Sequence, residues 1–208
     1  MKTTDYWTND KDGYLERNRH LSHEGLTSFF FEALGNIKCK AGRADGASIF
    51  ADVESVCEYG CNVGLNLRAL RGAGVKLYGF DLNPEAVKIA KEIDGVTAEV
   101  GNLLEAKDGK YDLVLTKGLL IHIHPDDIET AYRNLYNMTG SYLLICEYYN
   151  PTPVEVEYHG KSGLLFKRDF AGDMLDRYPD LKLIDYGFRY RRDEYPQDDI
   201  SWFLLRKE

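Results

Sequence analysis

The chain has 208 residues, of which 44% are hydrophobic and 29% charged, and its formal net charge is −8. That length fits one large domain with a substantial core, and the acidic balance argues against a sequence-independent grip on a nucleic-acid backbone. No run approaches the roughly 18 apolar residues of a membrane span, the N-terminus has no apolar leader core, and Cys39, Cys57, Cys61 and Cys146 lack C-x-x-C spacing. A soluble, cytoplasmic protein with reduced thiols and no metal site is therefore expected.

Residues 1–20 are polar with interleaved aromatics (Tyr6, Trp7, Tyr14), as in a segment that lies across a surface or closes over a pocket. Ser22 can cap a helix running through Gly25 to Leu34. Residues 40–54 read as a connector. From Ser55 the chain alternates: strand at Ser55–Tyr59, helix at Val63–Leu70, strand at Val75–Phe80, then a helix opened by Pro84 with Ala86, Val87, Ile89, Ala90 and Ile93 toward a sheet. Strands follow at Val96–Val100 and Tyr111–Thr116, and Pro125-Asp126-Asp127 starts a helix to Met138. Tyr142–Tyr148 is almost continuously apolar, as in a central strand. A long polar connection at 151–169, a helix at Phe170–Tyr178 and strands at Lys182–Tyr190 and Ile200–Arg206 complete the chain. The alternation predicts a doubly wound, mostly parallel seven-stranded α/β sheet with an antiparallel C-terminal edge hairpin. Within one compact unit, residues 1–50 are expected to form a helical cover segment and 51–208 the ligand-binding domain.

The first strand ends in Glu58 and turns at Gly60 and Gly64, and the second strand ends in Asp81. Such a βαβ unit holds an adenosine-like ligand across the carboxyl ends of parallel strands. A dinucleotide turn spaces its glycines G-x-G-x-x-G to meet a pyrophosphate. Here the turn is Gly60-Cys61-Asn62-Val63-Gly64 with a carboxylate two residues upstream. An acid there repels phosphate and suits a cation, which favours the sulfonium of S-adenosyl-L-methionine over NAD.

Those motifs, in that order over roughly residues 50–206, resemble the class I S-adenosylmethionine-dependent methyltransferases, which have a Rossmann-like fold. The resemblance implies that Glu58, Tyr59, Gly60, Cys61, Asn62 and Gly64 surround the methionine part of the cofactor, and that Asp81 with Leu82 meets the ribose hydroxyls. Asn102 with Leu103 falls where the family often has an Asp facing the adenine amine. Asn can accept that hydrogen bond through its side-chain carbonyl. Lys117 follows the fourth strand, where the family turns toward the sulfonium.

His122 and His124 lie in the next turn. A neutral imidazole near the methyl group is suited to take a proton from an acceptor hydroxyl or amine. For His122 this role and simple packing stand level, whereas His124 reads as a cap-like residue. Tyr149 and Glu147 are alternative bases, and Tyr148 and Asn150 share that strand end. Among the cations beyond, Lys161, Lys167, Arg168, Arg189, Arg191 and Arg192, the sites Arg168 and Arg189 are the candidates for an anionic acceptor group. A solvated basic face is the alternative for Arg191 and Arg192.

A narrower resemblance is to methylases associated with pseudaminic acid biosynthesis. It is carried by Tyr6-Trp7 with Tyr14 to Asn18, by Glu147 to Pro153, by Phe166 to Gly172 and by Pro196 to Phe203. It implies a methyltransferase encoded near sugar-acid genes, with Tyr14 and Asn18 folding over the cofactor. The expected activity is methyl transfer to oxygen or nitrogen of a small polar, sugar-related acceptor. The competing readings are a non-catalytic S-adenosylmethionine-binding module and a nucleic-acid methyltransferase. No nucleic-acid or membrane partner is expected, and monomer and homodimer both stay open.

Overall fold

The computed structural model describes residues 3–8, 14, 18, 20–37, 50 and 52–208. Most of the connector expected at 40–54, Cys39 and the Leu15 to Arg17 part of the N-terminal motif lie outside those residues.

Short helices α1 (Thr3–Thr8) and α2 (His23–Ala33) precede the sheet. Ser22 caps α2, its Oγ accepting the Gly25 N–H at 2.9 Å, an arrangement worth about 1 kcal/mol. Then come β1 (Ser55–Tyr59), α3 (Leu65–Leu70), β2 (Lys76–Asp81), α4 (Pro84–Ala90), β3 (Val96–Val100), β4 (Tyr111–Lys117), α5 (Ile128–Met138) and β5 (Thr139–Glu147). The chain ends with β6 (Val154–Tyr158), β7 (Lys161–Lys167), α6 (Phe170–Arg177), β8 (Leu181–Arg189) and β9 (Ile200–Lys207). A 3₁₀ turn at Leu120–His122 follows β4.

Seven strands form one sheet in the order β3-β2-β1-β4-β5-β9-β8. The first five run parallel, and β9 lies antiparallel between β5 and the edge strand β8. The inner strands read as unbroken apolar runs because both faces are covered. Val56, Leu113, Leu115 and Leu144 enter a core shared with α2 and α3, while Cys57, Val114, Leu143 and Ile145 enter one shared with α5 and α6. The chain winds outward from β1 through β2 to β3, then returns to place β4 on the other flank of β1. The crevice beyond the carboxyl ends of β1 and β4 is therefore the point where the topology reverses, the usual ligand position in such sheets.

Two expectations need correction. Ile89 is 42% exposed. Two residues along a helix turn about 200°, so with Val87 on the sheet Ile89 points away, while Ala86, Val87, Ala90 and Ile93 are buried as expected. The connection at 151–169 is not a loop but the hairpin β6–β7. Its turn residues His159 and Gly160 have φ of 53° and 70°, the paired positive values a tight two-residue hairpin turn needs.

Candidate functional site

A cavity of about 1280 Å³ opens at the carboxyl edge of the sheet. Its wall takes residues from every one of the first five strand ends: Gly60, Asp81, Asn102, Lys117 and Tyr148 among them.

The βαβ half is tied together by its own backbone. Gly60 and Cys61 donate their N–H groups to the Phe80 carbonyl at 2.8 and 3.1 Å. The Asp81 carboxylate accepts from the N–H of Asn62 at 2.9 Å and of Asn83 at 2.8 Å. One acid thus braces both the glycine turn and the start of α4 while still facing the cavity. Burial pushes its carboxyl above the usual value, against the pull of those N–H groups. At Gly60 the φ of 73° strains any other side chain, and a Cβ there would also push on Leu119, 2.9 Å from its Cδ1 and 3.2 Å from its Cβ.

Tyr59, Asn62, Leu82 and Leu103 join this wall, and Tyr59 stacks on Phe80 at 5.1 Å. Asn102 lines it too, with its Oδ1 accepting the Leu104 N–H at 2.9 Å. The carbonyl expected to meet an adenine amine is thus already used in a local turn. Glu58 is fully buried behind the wall. Its Oε1 accepts from Asn66 Nδ2 at 2.6 Å, and its Oε2 has no partner. Burial raises its carboxyl to about 8, opposed by the Asn66 amide and by Lys117. Cys61 and Gly64 stand outside the wall: Cys61 is buried against Gly79, and a Cβ on Gly64 would meet Ile93 Cδ1 at 2.7 Å. Their spacing serves packing between α3, α4 and the sheet.

The opposite half centres on His122. Its Nδ1 lies 2.7 Å from the Leu164 carbonyl in β7. A carbonyl only accepts, so Nδ1 carries the proton and the lone pair of the neutral ring sits on Nε2. The imidazole lines the cavity, with the Trp7 ring at 4.1 Å and the Tyr158 ring at 5.4 Å. His124 accepts the Asp126 N–H on its Nδ1 at 3.2 Å, as a cap-like residue should.

Glu147 does not line the cavity. It is buried beneath the His122 turn, with Oε1 accepting the N–H groups of Leu119 and Leu120 at 3.1 and 3.0 Å and Oε2 that of Ile121 at 3.3 Å. Burial raises its carboxyl to about 7 against the pull of these N–H groups. Tyr149 is 43% exposed with its ring 6.0 Å from Phe203, and it too is absent from the wall. Neither alternative base lines the cavity, whereas His122 does.

Among the substrate candidates only Tyr148 lines the cavity. Asn150 donates to the Thr152 carbonyl. Arg168 pairs with Asp173 at 3.3 Å, and the buried Arg189 pairs with Glu32 and Asp193. Both arginines are held by partners outside the wall. The cations that do line it are Lys117 and Lys161. Burial lowers the Lys117 ammonium, while nearby carboxylates, including Asp198 and Glu58, raise it again. Tyr14 and Asn18 line the cavity as well, Asn18 Nδ2 donating to the Tyr14 carbonyl at 2.8 Å.

Sequence reasoning passed over Asn66, Tyr158 and Asp198, all in the wall. For Tyr158 a signal existed, the alternation Val154-Glu155-Val156-Glu157-Tyr158 before a His-Gly pair. Asn66 gave none. Among the described residues no group of three His, Cys, Asp or Glu side chains is placed to hold a metal ion, and no helix is long and apolar enough to cross a membrane.

The profile of a family described as a methyltransferase domain matches residues 19–186. The ribosomal protein L11 methyltransferase of Clostridium botulinum (strain Eklund 17B / Type B) is 37% identical over 86 residues, 37% of this chain and 28% of that protein. The match therefore spans little more than a quarter of that relative. A crystal structure of magnesium protoporphyrin IX methyltransferase from Synechocystis PCC 6803 with bound SAM has a TM-score of 0.71 at 14% identity, over 100% of this chain and 98% of that one. Burkholderia thailandensis 1,6-didemethyltoxoflavin-N1-methyltransferase, with its substrate and S-adenosylhomocysteine bound, gives 0.70 at 16% identity over 99% and 86%. Both likenesses establish the seven-stranded fold.

Proposed function

The chain belongs to the methyltransferase-domain family, and we propose that it takes S-adenosylmethionine as its methyl donor and methylates an oxygen or nitrogen of a small polar acceptor with His122 as the base. The observation that carries this reading is the pairing, in one cavity, of the Asp81-braced glycine turn with an imidazole whose Nδ1–H is already committed to a carbonyl.

The residues present fit the donor. Asp81 offers a carboxylate to a pair of hydroxyl donors, and Tyr59, Leu82 and Leu103 supply flat or apolar contacts for a base. Lys117 is the cation for a carboxylate. Glu58, with an unpartnered buried oxygen, and Asn66 stand toward the amino end. We assign Gly60 and Asn62 to the same end, and Tyr14 and Asn18, from the 1–50 cover segment, to closing over it. When bound, S-adenosylmethionine supplies a methyl group already activated by its sulfonium.

The protein's part is then positioning and proton removal. Glu147 holds three successive N–H groups of the turn and so fixes the approach of His122. Leu164 fixes the tautomer, and Nε2 takes the acceptor's proton. Trp7, Tyr158 and the β6–β7 hairpin wall this half from water. With Arg168 and Arg189 engaged elsewhere, Lys161 is the cation we assign to an anionic acceptor group. The sugar-related acceptor and the link to pseudaminic acid rest on the motifs at Glu147–Pro153 and Pro196–Phe203, and the cytoplasmic setting on buried free thiols at Cys57, Cys61 and Cys146.

The test is incubation with methyl-labelled S-adenosylmethionine and nonulosonic acids, their nucleotide-activated forms and precursors, followed by mass spectrometry. Label in one of these products supports the reading. Cofactor binding without transfer to any of them would leave a non-catalytic module.

A further inference from the structure

The outermost strand β8 carries a bare apolar surface. It ends the strand order, and among the described residues no strand pairs with its outer edge. α2 and the residues just after it lie on one face, where Asn36 Nδ2 donates to Asp185 Oδ2 at 2.6 Å and Arg189 pairs with Glu32. The register with β9 puts Tyr186 and Phe188 on the opposite face, beside Phe203. There Tyr186 is 66% exposed and Phe188 55%, and Leu183, Tyr190 and Tyr149 are exposed as well. Ring contacts join them: Tyr186 stacks on Phe203 at 6.2 Å, Tyr149 lies 6.0 Å from Phe203, and Phe188 lies 6.3 Å from Tyr190. Single exposed apolar residues are ordinary, but a contiguous patch marks an interaction site. A free edge with such side chains invites a further strand.

We propose that this edge is the interface of a two-fold homodimer, in which β8 pairs antiparallel with β8 of a second copy about an axis at Gly187. Sheet geometry and charge select both the occupant and the register. A two-fold axis perpendicular to a sheet keeps every side chain on its own face, so it passes through a residue and not between two. The bulge at Leu183–Asp185 leaves Asp185 to Arg189 as the regular segment. An axis at Asp185 sets two carboxylates opposite each other, and one at Arg189 sets two guanidinium groups, both unfavourable. An axis at Tyr186 faces Asp185 with Gly187, and one at Phe188 faces Arg189 with Gly187, so within the strand neither charge gains a partner. The axis at Gly187 faces Asp185 with Arg189 of the second copy twice over, and Tyr186 with Phe188 twice over. All five regular residues are then paired, opposite charges on one face and aromatic rings on the other. Arg189 already holds Glu32 and Asp193, and a guanidinium with five N–H donors has room for a third carboxylate. At the axis itself a side chain is excluded from within, since a Cβ on Gly187 would stand 2.6 Å from the Trp202 ring, and its absence lets two backbones approach. The strand is complementary to itself, which selects a second copy over an unrelated partner.

The test is sedimentation velocity of the full chain over a dilution series, joined to disulfide cross-linking. The parent should sediment with the mass of two chains at micromolar concentration. Tyr186→Lys combined with Phe188→Lys changes two exposed positions and sets ammonium groups opposite each other. That variant should sediment as one chain with its circular dichroism unchanged. Asp185→Lys should weaken the dimer about tenfold or more. The register is read in a Cys39→Ser background, Cys57, Cys61 and Cys146 being buried. Tyr186→Cys and Phe188→Cys proteins, mixed and mildly oxidised, should cross-link to each other, and neither should cross-link alone. A parent that sediments as one chain at every concentration overturns the proposal, as does a dimer that survives both lysines or is as tight with Asp185→Lys. A cross-link formed by Tyr186→Cys alone, or none on mixing, overturns the register at Gly187.

Discussion

Glu147 is the residue whose replacement separates a positioning role from a catalytic one. In Glu147→Ala, three buried N–H groups, those of Leu119, Leu120 and Ile121, lose their acceptor together. At about 1–3 kcal/mol for each orphaned donor the total is of order 5 kcal/mol, a large part of the ~5–15 kcal/mol that holds a domain folded. That variant should be folded marginally or not at all. Glu147→Gln is the informative one. It retains an oxygen for Leu119 and Leu120 and sets an amide NH2 against the Ile121 N–H, a local loss of about 1–2 kcal/mol. The turn then shifts, and a displacement on the order of 1 Å at a catalytic group can cost ~100-fold in rate. The assays are denaturant unfolding, calorimetry with S-adenosylhomocysteine, and turnover of labelled cofactor across pH. Glu147→Gln should stay folded, bind the product within about threefold of the parent, lose turnover by about 10- to 100-fold, and keep the acidic limb of its pH profile, the fall in rate as the proposed base His122 takes up a proton. Turnover at the parental level would refute the positioning argument. Disappearance of the limb would show Glu147 to be the base itself.

Other expectations follow from the same geometry. His122→Ala should lower turnover by roughly 10²- to 10⁴-fold with cofactor affinity unchanged, checked by the same two assays. Asp81→Ala removes the acceptor for the Asn62 and Asn83 N–H groups as well as the proposed diol contact, so product affinity should fall by more than tenfold and stability by about 1–3 kcal/mol, read by calorimetry and unfolding. Gly60→Ala places a Cβ 2.9 Å from Leu119 Cδ1 at φ of 73°, a strain of about 1–2 kcal/mol, and should lower the melting temperature and weaken cofactor binding together. The buried acids give a pH signature. Glu58 titrates near 8 and Glu147 near 7 in the fold, against 4.5 for the free group. The native state holds these protons more tightly than the unfolded chain. Their stabilisation is therefore full below about pH 4.5 and is lost as pH rises through 7 to 8. Thermal melts should show that decline, and Glu58→Gln should flatten its upper part.

The βαβ half of the cavity was legible because its information is local. Glu58, Gly60, Gly64 and Asp81 fall within one βαβ unit, and each marks a strand end or a turn whose residue type is dictated by backbone geometry or charge. The half around His122 was not legible, because its contacts join distant parts of the chain. Glu147 ends a strand as a catalytic acid would, yet its partners are backbone N–H groups 26 to 28 residues earlier. Arg189 reads as a free cation until the fold brings Glu32, 157 residues away, beside it. The same holds for His122, whose tautomer is set by a carbonyl in the β6–β7 hairpin. That hairpin carried its signal in the alternation of 154–158 and the His159-Gly160 pair. The polar composition of the stretch hid it, since an exposed hairpin with one wet face is polar at every second residue.

Calorimetric titration of the chain with S-adenosylmethionine, set beside the Asp81→Asn variant, reads the proposed cofactor site directly. One saturable site with a dissociation constant in the micromolar range is expected, markedly weakened when Asp81 loses its charge. No heat of binding, or the same affinity in both proteins, would contradict it.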